Sequence, residues 1–120
     1  MAAKKILIVD DAKPDLMNLE KIVSDAGYQV VTATSGEQAV QMAKVEKPAL
    51  IFMDVNMKEV DGFQATRNLQ SDAETKAIPV VFVTAKDQKA DRVWAQMLGA
   101  KGYVTKPYSA DQILEQLKAV

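Results

Sequence analysis

Short apolar runs alternate along the chain with longer segments of helical spacing. Residues 6–9, 30–31 with Thr32 following, 50–53, 80–83 and the weaker 102–104 are brief and rich in β-branched residues, which predicts five strands. Three of these runs are apolar without alternation, the pattern of a strand covered on both faces by helices. The first intervening segment carries Leu16, Leu19, Val23 and Ala26 at steps of three and four, with Pro14 in its opening turn and Gly27 as its stop. The second opens on Ser35-Gly-Glu-Gln38, a capping-box pattern, and turns Ala39, Val40 and Ala43 inward. A third begins after Asp61-Gly62 with Phe63, Thr66 and Leu69, and a fourth follows Asp87 with Ala90, Val93, Trp94 and Met97 before Gly99. The fifth opens on another capping box, Ser109-Ala-Asp-Gln112, and buries Ile113, Leu114 and Leu117.

Strand and helix thus alternate five times, which implies right-handed parallel crossovers in an open α/β sheet. The commonest solution is the flavodoxin-like (βα)5 fold, a doubly wound parallel sheet of strand order 2-1-3-4-5 with its ligand crevice beyond the carboxyl ends of strands 1 and 3. No repeat, low-complexity stretch or linker interrupts the 120 residues, so 1–120 reads as one domain, and the ending Leu117-Lys-Ala-Val120 reads as a natural stop.

Composition narrows the chemistry. Fifteen Lys plus Arg against sixteen Asp plus Glu leave a net charge of -1, which gives no global attraction to nucleic acid or an anionic membrane. No apolar run is long enough to cross a bilayer, and the opening Met-Ala-Ala-Lys-Lys-Ile-Leu-Ile-Val-Asp runs into an acidic pair, unlike a signal peptide. A cytoplasmic protein without membrane insertion is expected. The absence of His and Cys excludes Ser-His-Asp and Cys-His catalysis, the usual zinc sites, disulfides and thiol redox chemistry. Any nucleophile or metal ligand is therefore oxygen, and any fixed cation is Lys or Arg.

The expected topology gathers such groups. Asp10, Asp11 and Asp54 follow strands 1 and 3. One Asp at a strand end is commonly a turn former or a helix cap. Three converging carboxylates repel one another unless a cation compensates, and an all-oxygen acidic pocket suits Mg²⁺ or another hard ion. Strands 4 and 5 add the Thr84 hydroxyl and the Lys106 ammonium at the same edge. Together they make a phosphoryl site: a carboxylate to accept, a metal and an ammonium to neutralise the phosphoryl oxygens, and a hydroxyl to bond one of them.

The motifs Ile-Leu-Ile-Val-Asp10-Asp11, Ile-Phe-Met-Asp54-Val-Asn-Met, Asp61-Gly62, Val-Thr84-Ala85, Gly99-Ala100 and Tyr103-Val-Thr-Lys106-Pro107 run in order through essentially the whole chain. As a set they resemble the receiver domains of two-component response regulators, of the single-domain chemotaxis type. The resemblance implies that Asp54 accepts a phosphoryl group from a histidine kinase, and that Asp10, Asp11 and Asp54 hold Mg²⁺ with the backbone carbonyl of Asn56. It further implies that Thr84 and Lys106 contact the phosphoryl group, that Tyr103 is the switch aromatic, and that the Lys106-Pro107 peptide is cis. Such a protein is a switch and not an enzyme beyond its own phosphoryl uptake and hydrolysis. Its output is a protein target on the face of helix 4, strand 5 and helix 5, reshaped when Thr84 is drawn toward the phosphoryl group and Tyr103 turns inward. A stand-alone monomer without a nucleic-acid partner is expected. The stretch from Gly62 to Thr75, with Lys86-Asp-Gln and Val93-Trp94, is similar to the single-domain receivers of type IV pilus chemosensory systems that drive twitching motility.

One position departs from the family pattern. Where receivers commonly carry a Pro after the Met that follows the acceptor, this chain has Lys58, which removes a φ restraint and adds a charge near the site. Three other readings remain open. A degenerate receiver acting as an interaction scaffold is kept alive by Lys58. A haloacid-dehalogenase-like phosphatase would use an Asp, a Thr, a Lys and Mg²⁺, but wants a second Asp where Asn56 stands. A flavodoxin-type flavin carrier would need a Ser/Thr/Gly-rich loop where this chain reads Asp10-Asp-Ala-Lys-Pro-Asp15.

Overall fold

Apolar runs without alternation become strands with helices on both sides. The computed structural model describes residues 4–118 and 120; Met1-Ala-Ala3 of the opening segment and Ala119 of the expected stop lie outside the described residues. The strands are β1 (Lys5–Val9), β2 (Gln29–Ala33), β3 (Leu50–Met53), β4 (Val80–Thr84) and β5 (Gly102–Thr105). All pair in parallel, in the order β2-β1-β3-β4-β5. The helices are α1 (Lys13–Asp25), α2 (Gly36–Glu46), α3 (Gly62–Gln70), α4 (Lys89–Met97) and α5 (Ala110–Leu117). The flavodoxin-like order read from the sequence is borne out.

Successive strand residues serve opposite cores, as the two-residue period of a strand requires. Leu7, Val9, Ile51, Met53, Val80 and Phe82 pack with Ala39 and Ala43 of α2, Ala65 and Leu69 of α3 and Ala95 of α4. Ile6, Ile8, Leu50, Phe52, Val81, Val83 and Val104 pack with Leu16, Leu19 and Val23 of α1 and Ile113 and Leu117 of α5. Each central strand is therefore dry on both faces, and its ends are the first places where a polar side chain can reach solvent.

The helix starts follow local hydrogen bonding. At α5 the Ser109 hydroxyl accepts from the Gln112 N–H (3.4 Å) while the Gln112 side chain accepts from the Ser109 N–H (2.8 Å), which closes the expected box. At α2 only half of the box forms as read. Ser35 Oγ accepts from the Gln38 N–H (3.0 Å), but Gln38 Oε1 reaches one residue further back, to the Thr34 N–H (2.8 Å).

Two expectations of inward packing, one in α1 and one in α4, are corrected. Ala26 is the exposed C-cap of α1 and not part of its buried stripe. In α4 the stripe Ala90, Val93, Trp94 and Met97 faces outward, with Val93 46% and Met97 73% exposed. Ala95 alone of this helix is buried. Its small side chain lets α4 touch the sheet, so the larger apolar residues are left on the opposite side.

Candidate functional site

Asp10 follows β1 directly, and Asp54 follows β3 on the neighbouring strand, where Val9 pairs with Met53. The two main chains stay laddered past the strand ends, with the Asp54 N–H donating to the Val9 carbonyl (3.0 Å) and the Asp10 N–H to Ala33 (3.2 Å). Both side chains are aimed by local backbone donors: Asp10 Oδ1 accepts from the Ala12 N–H (2.9 Å), and Asp54 Oδ1 from the Asn56 N–H (3.2 Å). Asp10 and Asp54 are 4% and 5% exposed, whereas Asp11 stands in solvent. Each offers an oxygen to a cluster whose members lie within 4.8 Å of one another. Three carboxylate oxygens at that spacing fit a hard divalent cation that keeps water in its remaining positions.

Lys106, one residue past β5, reaches into this cluster. Its Nζ lies 2.7 Å from Asp10 Oδ2 and 3.3 Å from Asp54 Oδ2. It also lies 2.9 Å from Asp15 Oδ2, in the first turn of α1, a partner that the sequence reading missed. Burial raises the Asp10 carboxyl above the usual carboxylate range, opposed by the hydrogen bonds from Lys106 and the Ala12 N–H and reinforced by the Asp54 charge. For Lys106, burial disfavours the ammonium, but the hydrogen bonds to Asp10 and Asp15 and the Asp54 charge outweigh it, so its pKa is raised. The ammonium is thus held charged beside Asp54. A cleft of about 440 Å³ opens beside it, lined by Asp15, Asn18, Ala85, Lys106, Pro107 and Tyr108. The Lys106-Pro107 peptide is cis.

Thr84 closes β4 and is wholly buried, on the same sheet face as Phe82. Its Oγ1 accepts from the Lys86 N–H (3.3 Å), and the carbonyl of the same residue accepts from the Tyr103 hydroxyl (2.6 Å). One residue's peptide groups therefore stand between the hydroxyl at the strand end and the aromatic on β5. The Tyr103 ring also packs on Phe82 (centroids 6.2 Å apart) and lies 4.8 Å beneath the Arg92 guanidinium, which is itself paired with Asp87 at 2.7 Å. Trp94 packs edge-on against Phe63 and is 38% exposed, so its role is not that of a core residue. Lys58, where the family places Pro, is exposed, and Glu59 beside it takes a left-handed φ of 62°.

Burial, with the Asp91 carboxylate adding to it and Arg92 opposing, pushes the Tyr103 phenol up to about 12. Between its ordinary value near 10 and about 12, the unfolded chain has lost a proton that the folded chain keeps. Folding stability therefore falls as pH rises through that window, and this phenol adds no pH dependence below it. Urea denaturation in that alkaline window is expected to show a shallower loss of stability in Tyr103→Phe than in the unmodified protein. Equal slopes would mean that the hydroxyl is solvated and not bonded to Lys86.

Residues 6–118 match the family described as the response regulator receiver domain. The chain is 45% identical over 116 residues to Protein PilH of Pseudomonas aeruginosa, an alignment covering 97% of this chain and 96% of that one. Among solved structures it is similar to the chemotaxis protein CheY4 of Vibrio cholerae, with a TM-score of 0.92 and 28% identity over 99% of both chains. It is likewise similar to the receiver domain of a sensor histidine kinase of Pseudomonas aeruginosa, solved with a magnesium ion coordinated in its active site cleft. That match has a TM-score of 0.90 and 27% identity, covering 98% of this chain and 97% of the other.

Proposed function

The chain belongs to the response regulator receiver domain family, and on that premise we propose that it is a phosphorylation-activated switch whose acceptor is Asp54. Receiver domains act in two-component signalling as switches and not as classical enzymes. The observation that carries this reading is the meeting of Asp10, Asp11 and Asp54 with the Lys106 ammonium at the carboxyl edge of the sheet. An Asp54 oxygen attacks the phosphorus of a kinase phosphohistidine. The P–N bond breaks, the imidazole leaves, and an acyl phosphate forms on Asp54. Lys106 stands where it can neutralise a phosphoryl oxygen, and the Thr84 hydroxyl ends the next strand to bond another. When bound, Mg²⁺ supplies further charge neutralisation, held by Asp10, Asp11, Asp54 and the Asn56 carbonyl.

The coupling to output runs from Thr84 through the Lys86 peptide to Tyr103. A Thr84 hydroxyl that turns toward a phosphoryl oxygen gives up the Lys86 N–H, which loosens the segment whose carbonyl holds Tyr103. The target surface is the face of α4, β5 and α5, and the exposed Val93 and Met97 support that choice because they leave apolar surface on α4 without a partner among the described residues. The likeness to Protein PilH supports the type IV pilus branch of the family that the helix-surface residues suggest. The protein on this reading is a cytoplasmic monomer that takes its signal from a histidine kinase and binds no nucleic acid; no helix among the described residues is long and apolar enough to cross a membrane.

The test is intact mass after incubation with acetyl phosphate and Mg²⁺. One added phosphoryl group is expected, and none would favour the scaffold reading. A parallel melting series is expected to rise with the logarithm of free Mg²⁺ and to flatten in Asp11→Asn and Asp54→Asn, because the ion binds only the folded cluster. Indifference of the unmodified protein to millimolar Mg²⁺ would count against the metal site.

A further inference from the structure

We propose that Asp15 is a positioning residue that takes the Lys106 ammonium when a divalent cation occupies Asp10, Asp11 and Asp54, and so keeps the ammonium at the edge of the acceptor. The inference rests on the acceptor reading above. Lys106 touches three carboxylates, but only two of them, Asp10 and Asp54, belong to the cluster that converges to hold an ion. Asp15 lies outside that cluster and belongs to the helix that follows it.

Lys106 and a divalent cation compete for the same oxygens. An ammonium 2.7 Å from Asp10 Oδ2 and 3.3 Å from Asp54 Oδ2 satisfies charge that the cation would otherwise satisfy, and two cations so close repel. The ammonium therefore shifts as the ion enters. Its four-carbon stem can swing, and it carries three donors, so it can give up two partners and keep the third. Asp15 is that third partner, already 2.9 Å away. The side chains of Asp10 and Asp54 are 5% and 7% exposed and cannot follow a departing ammonium, whereas that of Asp15 is 49% exposed. The cleft of about 440 Å³ lined by both Asp15 and Lys106 supplies the room. Without Asp15 the ammonium has no alternative partner of opposite charge, and it holds Asp10 and Asp54 against the ion.

The experiment is calorimetric titration of MgCl₂ into the unmodified protein, Asp15→Asn, Asp15→Glu, Lys106→Ala and the double variant Asp15→Asn/Lys106→Ala. Asp15→Asn is expected to weaken Mg²⁺ binding about fivefold, the factor that a half-exposed ion pair is worth. Asp15→Glu should restore most of that affinity, because it restores the charge on a slightly longer arm. In the Lys106→Ala background, Asp15→Asn should change affinity by less than about twofold, because no ammonium remains to be held. Equal weakening in both backgrounds would make Asp15 a nearby charge and nothing more, and no weakening in either would remove it from the site; each result overturns the proposal. If the unmodified protein binds Mg²⁺ and takes up a phosphoryl group, those failures fall on Asp15 alone. If it does neither, the acceptor reading fails first and this inference fails with it.

Discussion

Asp54→Asn is expected to leave a folded protein that takes up no phosphoryl group from acetyl phosphate. The amide has the shape of the carboxylate, and its oxygen can still accept the Asn56 N–H that aims Asp54 Oδ1. What it lacks is the anionic oxygen that attacks phosphorus. Loss of the nucleophile should slow labelling by at least roughly 10³-fold, which on an intact-mass scale is no labelling. Stability should not suffer in metal-free solution. Lys106 keeps its bonds to Asp10 and Asp15, and the like charge that adds to burial in raising the Asp10 carboxyl is gone. The pairing of an intact melt with a lost mass shift separates chemistry from folding. Full labelling of the Asn variant at another carboxylate would show that the acceptor has been misplaced.

The strands that position Asp54 were legible because burial on both faces leaves no choice of residue. Ile6 to Val9 and Leu50 to Met53 are apolar throughout, so the first polar residue after each marks a strand end, and the sheet order makes those ends neighbours. Asp10, Asp11 and Asp54 could thus be placed together from sequence and topology alone. Thr84 followed by the same logic on β4, whereas β5 is half-exposed and Lys106 was placed only by the sheet edge it shares with the others.

Periodicity misled at α4. Ala90, Val93, Trp94 and Met97 have the spacing of a core stripe, but a stripe meant for a partner has that spacing too, and the pattern of one helix does not say which face the sheet takes. Here the contact falls to Ala95. Asp15 was missed for a different reason: its partner Lys106 is 91 residues away, and an Asp in a first helical turn has an adequate local explanation in the helix dipole. Tyr103 could be singled out as an aromatic on β5, but not its bond to Lys86, because the acceptor is a backbone carbonyl and every residue has one.

Gly62→Ala tests how the acceptor is held, and the substitution is expected to destabilise the fold by about 3 kcal/mol, the upper range for overpacking a closed site. Conformation is not the reason, because Gly62 has no left-handed φ; Gly27 and Gly99 are the glycines that do. The reason is space. A Cβ on Gly62 would lie 2.9 Å from Val55 Cα and closer still to the Asp54 carbonyl oxygen, and these are backbone atoms that no rotamer change can move. The Gly62 N–H also donates to the Val55 carbonyl (3.0 Å), so the start of α3 is tied down against the segment that leaves β3. Gly36 plays the same part on the other side of the loop, where an added Cβ would run into the Val60 carbonyl. Bare backbone at two glycines therefore lets α2 and α3 close on the loop that carries Asp54 and Asn56. To admit a methyl at Gly62, the loop must move outward and take the Asp54 oxygens away from Asp10 and Lys106. Urea midpoints should drop, and the fraction that remains folded should label more slowly with acetyl phosphate. Gly27→Ala is the control, since nothing lies within 4 Å of its Cβ and only its φ of 98° is strained; it should destabilise without slowing phosphoryl uptake by the folded protein. If Gly62→Ala unfolds within about 0.5 kcal/mol of the unmodified protein, as surface substitutions do, the close approach of α3 to the acceptor strand is not what fixes Asp54.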